Sequence, residues 1–162
     1  LMWLNGLYIR QEKPERLAEL LVPFLEVRNL KIRSMAWLAE VTATLRERAK
    51  TLVEMADQAE FYFRDDFPFD EKAEKKHLTP AIREPLETLL GRLSSAGEID
   101  EKSLEEMFKE IAAARNLKLG AIAQAVRVSL TGKSVSPGIY EIIKILGKDE
   151  VLKRLDRAVK KL

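Results

Sequence analysis

Near the end of the chain, Val151, Leu152, Leu155, Ala158, Val159 and Leu162 recur at i, i+1, i+4, i+7, i+8 and i+11. That spacing lines one face of an α-helix; a strand would need apolar residues at every second position. The same helical spacing returns along the sequence, separated by short breaks. Leu17, Leu20, Leu21 and Leu25 share a face behind Pro14, which suits a first helical turn. Pro23 falls inside this pattern and is expected to kink the helix or end it early. Ser34 reads as the N-cap of a helix burying Trp37, Leu38, Val41 and Leu45, and a third helix runs from about Thr51 through Phe61. No period-two run survives, so the fold class is all-α. The abundance of Leu, Ala, Glu, Lys and Arg agrees.

Phe61 to Phe69 interrupts the pattern with five aromatics in nine residues, broken by Asp65, Asp66 and Pro68. The run reads as a junction whose rings plug a seam, giving two helical units, residues 1–69 and 70–162. A base-stacking platform is the sharper alternative, but the two aspartates would repel phosphate. In the second unit, Thr79-Pro80 opens a helix and Ser95 to Gly97 closes it. Ser103 and Glu106 have capping-box spacing, with Asp100 as a cap one turn earlier. Asn116 and Thr131-Gly132 end the next two helices. Pro137 opens another, Gly147 ends it, and Asp149 caps the last.

Charge is unevenly placed. The chain carries a formal charge of only +2, yet the thirty residues from Ile111 to Tyr140 contain no Asp or Glu while holding Arg115, Lys118, Arg127 and Lys133. A local positive excess in a nearly neutral protein points to a polyanion-binding face. The catalytic options close in turn. With no cysteine, disulfides, thiolate catalysis and Cys-based zinc sites are excluded, and a reducing compartment is compatible. His77 is the only histidine and stands among Lys75 and Lys76, so it reads as surface. Gly132-Lys133-Ser134 imitates the end of a P-loop, but Arg127 occupies the position of the first glycine and a helix precedes it. Asp65, Asp66, Asp70 and Glu71 lack calcium-loop spacing. No catalytic or metal site is expected. No apolar run approaches the ~20 residues that cross a bilayer. The chain starts at Leu1 and not at an initiator Met, which reads as a piece of a longer protein.

Three segments carry a family resemblance: Trp3-Leu4-Asn5-Gly6-Leu7-Tyr8-Ile9-Arg10, Phe63-Arg64-Asp65-Asp66-Phe67-Pro68, and a third running from Lys118-Leu119-Gly120 through Ala123-Gln124, Arg127 and Leu130-Thr131-Gly132 to Ser136-Pro137-Gly138. In this order they resemble the C-terminal anticodon-binding region of bacterial-type glutamyl-tRNA synthetases. Ala125 departs from the family pattern, which has a proline there. The resemblance implies two helical subdomains in an elongated region that binds the anticodon loop of tRNA(Glu) and discriminates against tRNA(Gln). It implies a cytoplasmic parent enzyme that charges tRNA using ATP and Mg2+. Neither ATP-handling signature of such class I enzymes is present, so this part is expected to be inactive alone. Its implied partners are tRNA(Glu) and the catalytic half of the same polypeptide, with no membrane and no DNA.

The resemblance also assigns residues. Arg46-Glu47-Arg48-Ala49-Lys50-Thr51-Leu52 matches a run in which Arg48 would read the last anticodon base. Glutamate anticodons end in C and glutamine anticodons in G. A guanidinium only donates, so it suits the two acceptors on the pairing edge of cytosine and meets two donors on guanine. Arg127, Ser136, Pro137 and Ile139 fall at the positions for the other two bases, with Lys109 and Lys133 toward the backbone. From the residues alone, two alternatives stay open: a helical module docking an acidic protein partner on the same basic face, and RNA binding without base preference.

Overall fold

The computed structural model describes residues 2–162, with side chains from residue 6 onward. Leu1 and the side chains of Met2 to Asn5 lie outside the described residues, and so do the Trp3, Leu4 and Asn5 side chains of the first motif. Among the described residues there are α-helices, one 3-10 turn and no strand. None of these helices is long and apolar enough to cross a membrane. The chain divides into two compact units, Leu1–Asp65 and Asp66–Leu162. The aromatic run is thus cut within itself: Phe61, Tyr62 and Phe63 pack in the first unit, whereas Phe67, Pro68 and Phe69 belong to the second.

The first unit contains α1 (Met2–Gln11), α2 (Pro14–Val27), α3 (Met35–Leu45) and α4 (Leu52–Phe63). Its core joins Leu17, Ala18, Leu21 and Leu25 of α2 to Leu38, Val41 and Leu45 of α3 and Met55, Ala56, Ala59 and Tyr62 of α4. Pro23 neither ends nor breaks α2, which continues to Val27. Proline removes one helical hydrogen bond. Here Leu21 and Leu25 are both fully buried on either side of it, and that packing carries the helix past the defect. Two hydroxyls in this unit are matched: Thr42 Oγ1 donates to the Pro14 carbonyl (2.9 Å). The Thr44 hydroxyl shares a hydrogen bond with the Tyr62 hydroxyl (2.8 Å). Ser34 and Thr51 cap α3 and α4 through bonds from Trp37 N (3.1 Å) and Glu54 N (3.0 Å).

The second unit contains α5 (Glu71–His77), the 3-10 turn Pro80–Ile82, α6 (Arg83–Ser95), α7 (Glu101–Ala114), α8 (Leu119–Thr131), α9 (Ile139–Leu146) and α10 (Lys148–Lys160). Helix α8 is the central element and packs against α5, α6, α7, α9 and α10. Its sequence explains this, since Ile122, Ala125, Val126, Val128 and Leu130 are all fully buried. Two cap expectations need correction. Asp100, not Ser103, caps α7, and Ser103 answers from the N3 position to complete a capping box. Thr79 stands at the N-cap position with Pro80 after it, opening the 3-10 turn ahead of α6 without a side-chain cap bond. Asp149 sits inside the first turn of α10, after Gly147 at the N-cap. There its carboxylate still opposes the positive end of the helix.

Arg154 was not on the expected inward face of α10, yet only 1% of it is exposed. Its Nη1 donates to the Leu130 carbonyl at the end of α8 (2.7 Å), and its Nε to Glu150 Oε1 one turn back (2.9 Å). The guanidinium also lies 5.3 Å from the Phe67 ring centroid. Removing one partner of a buried pair leaves the others desolvated and uncompensated. Arg154→Met is therefore expected to lower stability by about 3–5 kcal/mol in denaturant unfolding.

Candidate nucleic-acid interface

The sequence motif after α8 folds as one braced turn. Gly132 ends the helix at φ +77, where a side chain is strained. A Cβ there would also sit 2.7 Å from the Pro68 carbonyl oxygen and 2.9 Å from Phe67 Cδ2. The Gly132 carbonyl accepts from Asp70 N (2.8 Å). Two of the three motif segments thus meet at this glycine: Phe67-Pro68 rests on the end of Leu130-Thr131-Gly132. Thr131 Oγ1 accepts from Lys133 N (3.1 Å), which sets the direction of the chain as it leaves the helix.

Arg127 and the Ser136-Pro137 turn are brought together directly. Arg127 Nη1 donates to the Pro137 carbonyl (2.8 Å), to Ser136 Oγ, and more distantly to the Ser136 carbonyl (3.3 Å). Ser136 Oγ donates in turn to the Pro137 carbonyl (2.8 Å). A guanidinium on an otherwise apolar helix has to reach a polar partner. Here it is half-buried and fastens the turn to α8. At the tip of the loop, Lys133 is exposed and Val135 is 73% exposed. Ile139 opens α9 but is only 5% exposed, so it belongs to the core.

The acid-free stretch is not acid-free in space. Arg115 pairs with Glu84 of α6 (3.1 Å) and donates to Thr88 Oγ1 (2.6 Å). A Cβ on Gly138 would lie 3.0 Å from Glu141 Oε1, which places a carboxylate at the N-terminal turn of α9. That carboxylate uses the positive helix end that a phosphate would otherwise seek. The turn is therefore better suited to neutral base edges than to phosphate. Lys109 is exposed and bonded to Glu105 (3.0 Å), a contact that holds its ammonium pKa above the usual value. Tyr140, which no sequence pattern singles out, follows Ile139 and stacks edge-on to Phe108 (5.5 Å). Burial, with the Glu105 carboxylate nearby, pushes the Tyr140 phenol pKa upward.

Arg48 lies in the first unit, on the exposed turn between α3 and α4. Its N–H donates to the Leu45 carbonyl (2.9 Å). Among the described residues, no carboxylate pairs with its guanidinium. Nor does any group of three or more His, Cys, Asp or Glu there come together to hold a metal ion.

The family model described as "Anticodon binding domain" matches residues 16–159. The chain belongs to the anticodon-binding domain family. Among curated relatives it is 49% identical over 159 residues to a glutamate–tRNA ligase of Geobacter sulfurreducens, covering 98% of this chain and 34% of that protein. A glutamate–tRNA ligase of Syntrophobacter fumaroxidans is 46% identical over the same coverage. This anticodon-binding domain thus spans about a third of the length of the ligases it matches. Among solved structures, a glutamate tRNA ligase from Elizabethkingia meningosepticum superposes with a TM-score of 0.89 at 24% identity, over 99% of this chain and 32% of that one. The likeness extends to the all-helical fold.

Gly132 offers the sharpest check of the turn. Gly132→Ala adds left-handed strain of about 1–2 kcal/mol to a clash with the Pro68 backbone. Its thermal midpoint is expected to fall, whereas Gly120→Ala, with open space around it, should leave the midpoint near that of the parent chain.

Proposed function

We propose that this domain is the anticodon reader of a glutamate–tRNA ligase, binding the anticodon loop of tRNA(Glu) and disfavouring that of tRNA(Gln). The observation that carries the reading is Arg48: an exposed guanidinium on a fixed turn, with no carboxylate paired to it among the described residues. An unpaired cationic donor set keeps its hydrogen bonds for a ligand. Cytosine offers it two acceptors; guanine in the same place offers two donors and one acceptor, and leaves part of the guanidinium desolvated without a match.

In the second unit, Arg127 and Ser136, braced on the buried Pro137 and Ile139, supply the surface for the other two anticodon bases. Arg127 contributes by fixing the turn as well as by its charge. Lys133 stands beside this surface as a backbone contact, and Lys109 serves the same purpose while exchanging Glu105 for phosphate. The two units act as two subdomains of one anticodon-binding region, and the catalytic half of the same polypeptide holds the acceptor end. ATP and Mg2+ belong to that half. The residues described here do not fit them, since they provide neither an acid cluster nor a phosphate-binding loop. Such an enzyme works where tRNA is charged, in the cytoplasm.

The test uses RNA stem–loops that differ only in the last anticodon base. The chain is expected to prefer the loop ending in C, and Arg48→Gln to reduce that preference by about 1–3 kcal/mol, roughly fivefold or more. Added salt should weaken both loops while leaving their ratio in place, because phosphate contacts carry no base information. Equal binding of the two loops, unchanged in the variant, rules out the role given to Arg48.

A further inference from the structure

The turn that carries Arg48 is tied to its surroundings by two side chains. Gln58, on α4, donates from Nε2 to the Arg48 carbonyl (3.2 Å) and to Glu54 Oε1 (3.2 Å). Arg46, two residues before Arg48, donates from Nη1 to the Glu12 carbonyl beyond the end of α1 (3.1 Å). Between these ties, Ala49 is buried and its N–H closes onto the Leu45 carbonyl (3.0 Å). Gly6 of α1 also lies against the turn: a Cβ there would stand 3.4 Å from the Lys50 carbonyl oxygen.

We infer that Arg46 and Gln58 are positioning residues for Arg48, fixing its backbone so that the guanidinium leaves the turn in one direction. The inference rests on the reading of Arg48 proposed above. Hydrogen bonds weaken steeply off line, and a recognition group must be held to about 0.5 Å to tell one base edge from another. An exposed arginine has many rotamers, so nothing in its own side chain supplies that precision. The backbone at its root must, and three elements converge there: α1 through Arg46 and Gly6, α3 through its last carbonyl, and α4 through Gln58. The Arg46 tie also fastens the turn to α1, so a displacement of α1 would move the root of Arg48.

A loop closed merely for stability predicts different behaviour from a loop closed for aim. Lost stability alone lowers the melting midpoint and leaves the preference for C over G intact in the folded protein. Lost aim lowers the preference itself. The experiment measures affinities for the two stem–loops, and melting midpoints, in the whole 162-residue chain and in Gln58→Leu, Arg46→Met, Arg46→Lys and Arg48→Gln. The expected result is a preference reduced by about fivefold or more in Gln58→Leu and Arg46→Met, approaching that of Arg48→Gln. Arg46→Lys retains a donor for the Glu12 carbonyl and should keep most of the preference, and its native-like surface also covers the case in which Arg46→Met fails to fold. If Gln58→Leu keeps the full preference while Arg48→Gln loses it, the positioning role is overturned and the reading of Arg48 stands. If Arg48→Gln changes nothing, that reading falls and takes the inference with it.

Discussion

The second unit depends on one buried cation. Arg154 reaches from α10 into the end of α8, where a helix leaves carbonyls without partners. Its bond to the Leu130 carbonyl satisfies one of them, and Glu150 compensates its charge. The positive group also lies at the negative end of the α8 dipole. With that carbonyl answered, the helix end can be buried, and Gly132 can come within reach of Phe67 and Pro68. Asp70 then closes the contact through its N–H to the Gly132 carbonyl. One guanidinium thus ties three stretches of chain that lie far apart in sequence, and the Lys133–Gly138 turn starts from that anchor.

Sequence patterning revealed what depends on local spacing. The helices of the long apolar stripes, the cap at Ser34, and the stops at Asn116, Gly132 and Gly147 follow from rules that act within a few residues. What it missed is non-local. Arg154 does not count toward an apolar stripe because its residue type is polar, although the spacing from Val151 and Leu155 puts it beside the inward face. The aromatic run reads as one block, but its first rings serve α4 and its last rings rest beside α8 and α10; Arg157 sits 4.9 Å from the Phe67 centroid. The short helices α1 and α5 carry too little apolar periodicity to announce themselves. The continuity of α2 through Pro23 comes from tertiary packing, which no propensity scale contains.

The candidate interface was legible as residues and not as geometry. A stretch without acids is a fact about sequence, whereas a surface without acids is a fact about packing. Glu84 and Glu141 both enter the neighbourhood from outside or from the edge of the stretch, one against Arg115 and one against Gly138. Phosphate attraction at the turn is accordingly weaker than the sequence implied. What remains there is a set of fixed backbone and hydroxyl groups, better suited to sorting bases than to gathering charge.

Ala125 brings these points together. The resemblance places a proline at that position, where it would remove an N–H and bend α8 shortly before Arg127. Here Ala125 is fully buried, its carbonyl accepts from Ser129 Oγ (2.7 Å), and α8 runs unbroken from Leu119 to Thr131. The direction of Arg127 therefore cannot come from a kink. It comes from the far end of the side chain, where Pro137 and Ser136 hold Nη1. The two arginines assigned to the anticodon are thus fixed in opposite ways: Arg48 by its root, with its tip exposed, and Arg127 by its tip, with its root in a straight helix. A tip bound to the turn shapes a surface, while an exposed tip can take a base edge. On that ground the choice between C and G is expected to rest with Arg48, and Arg127 to govern how well any loop fits.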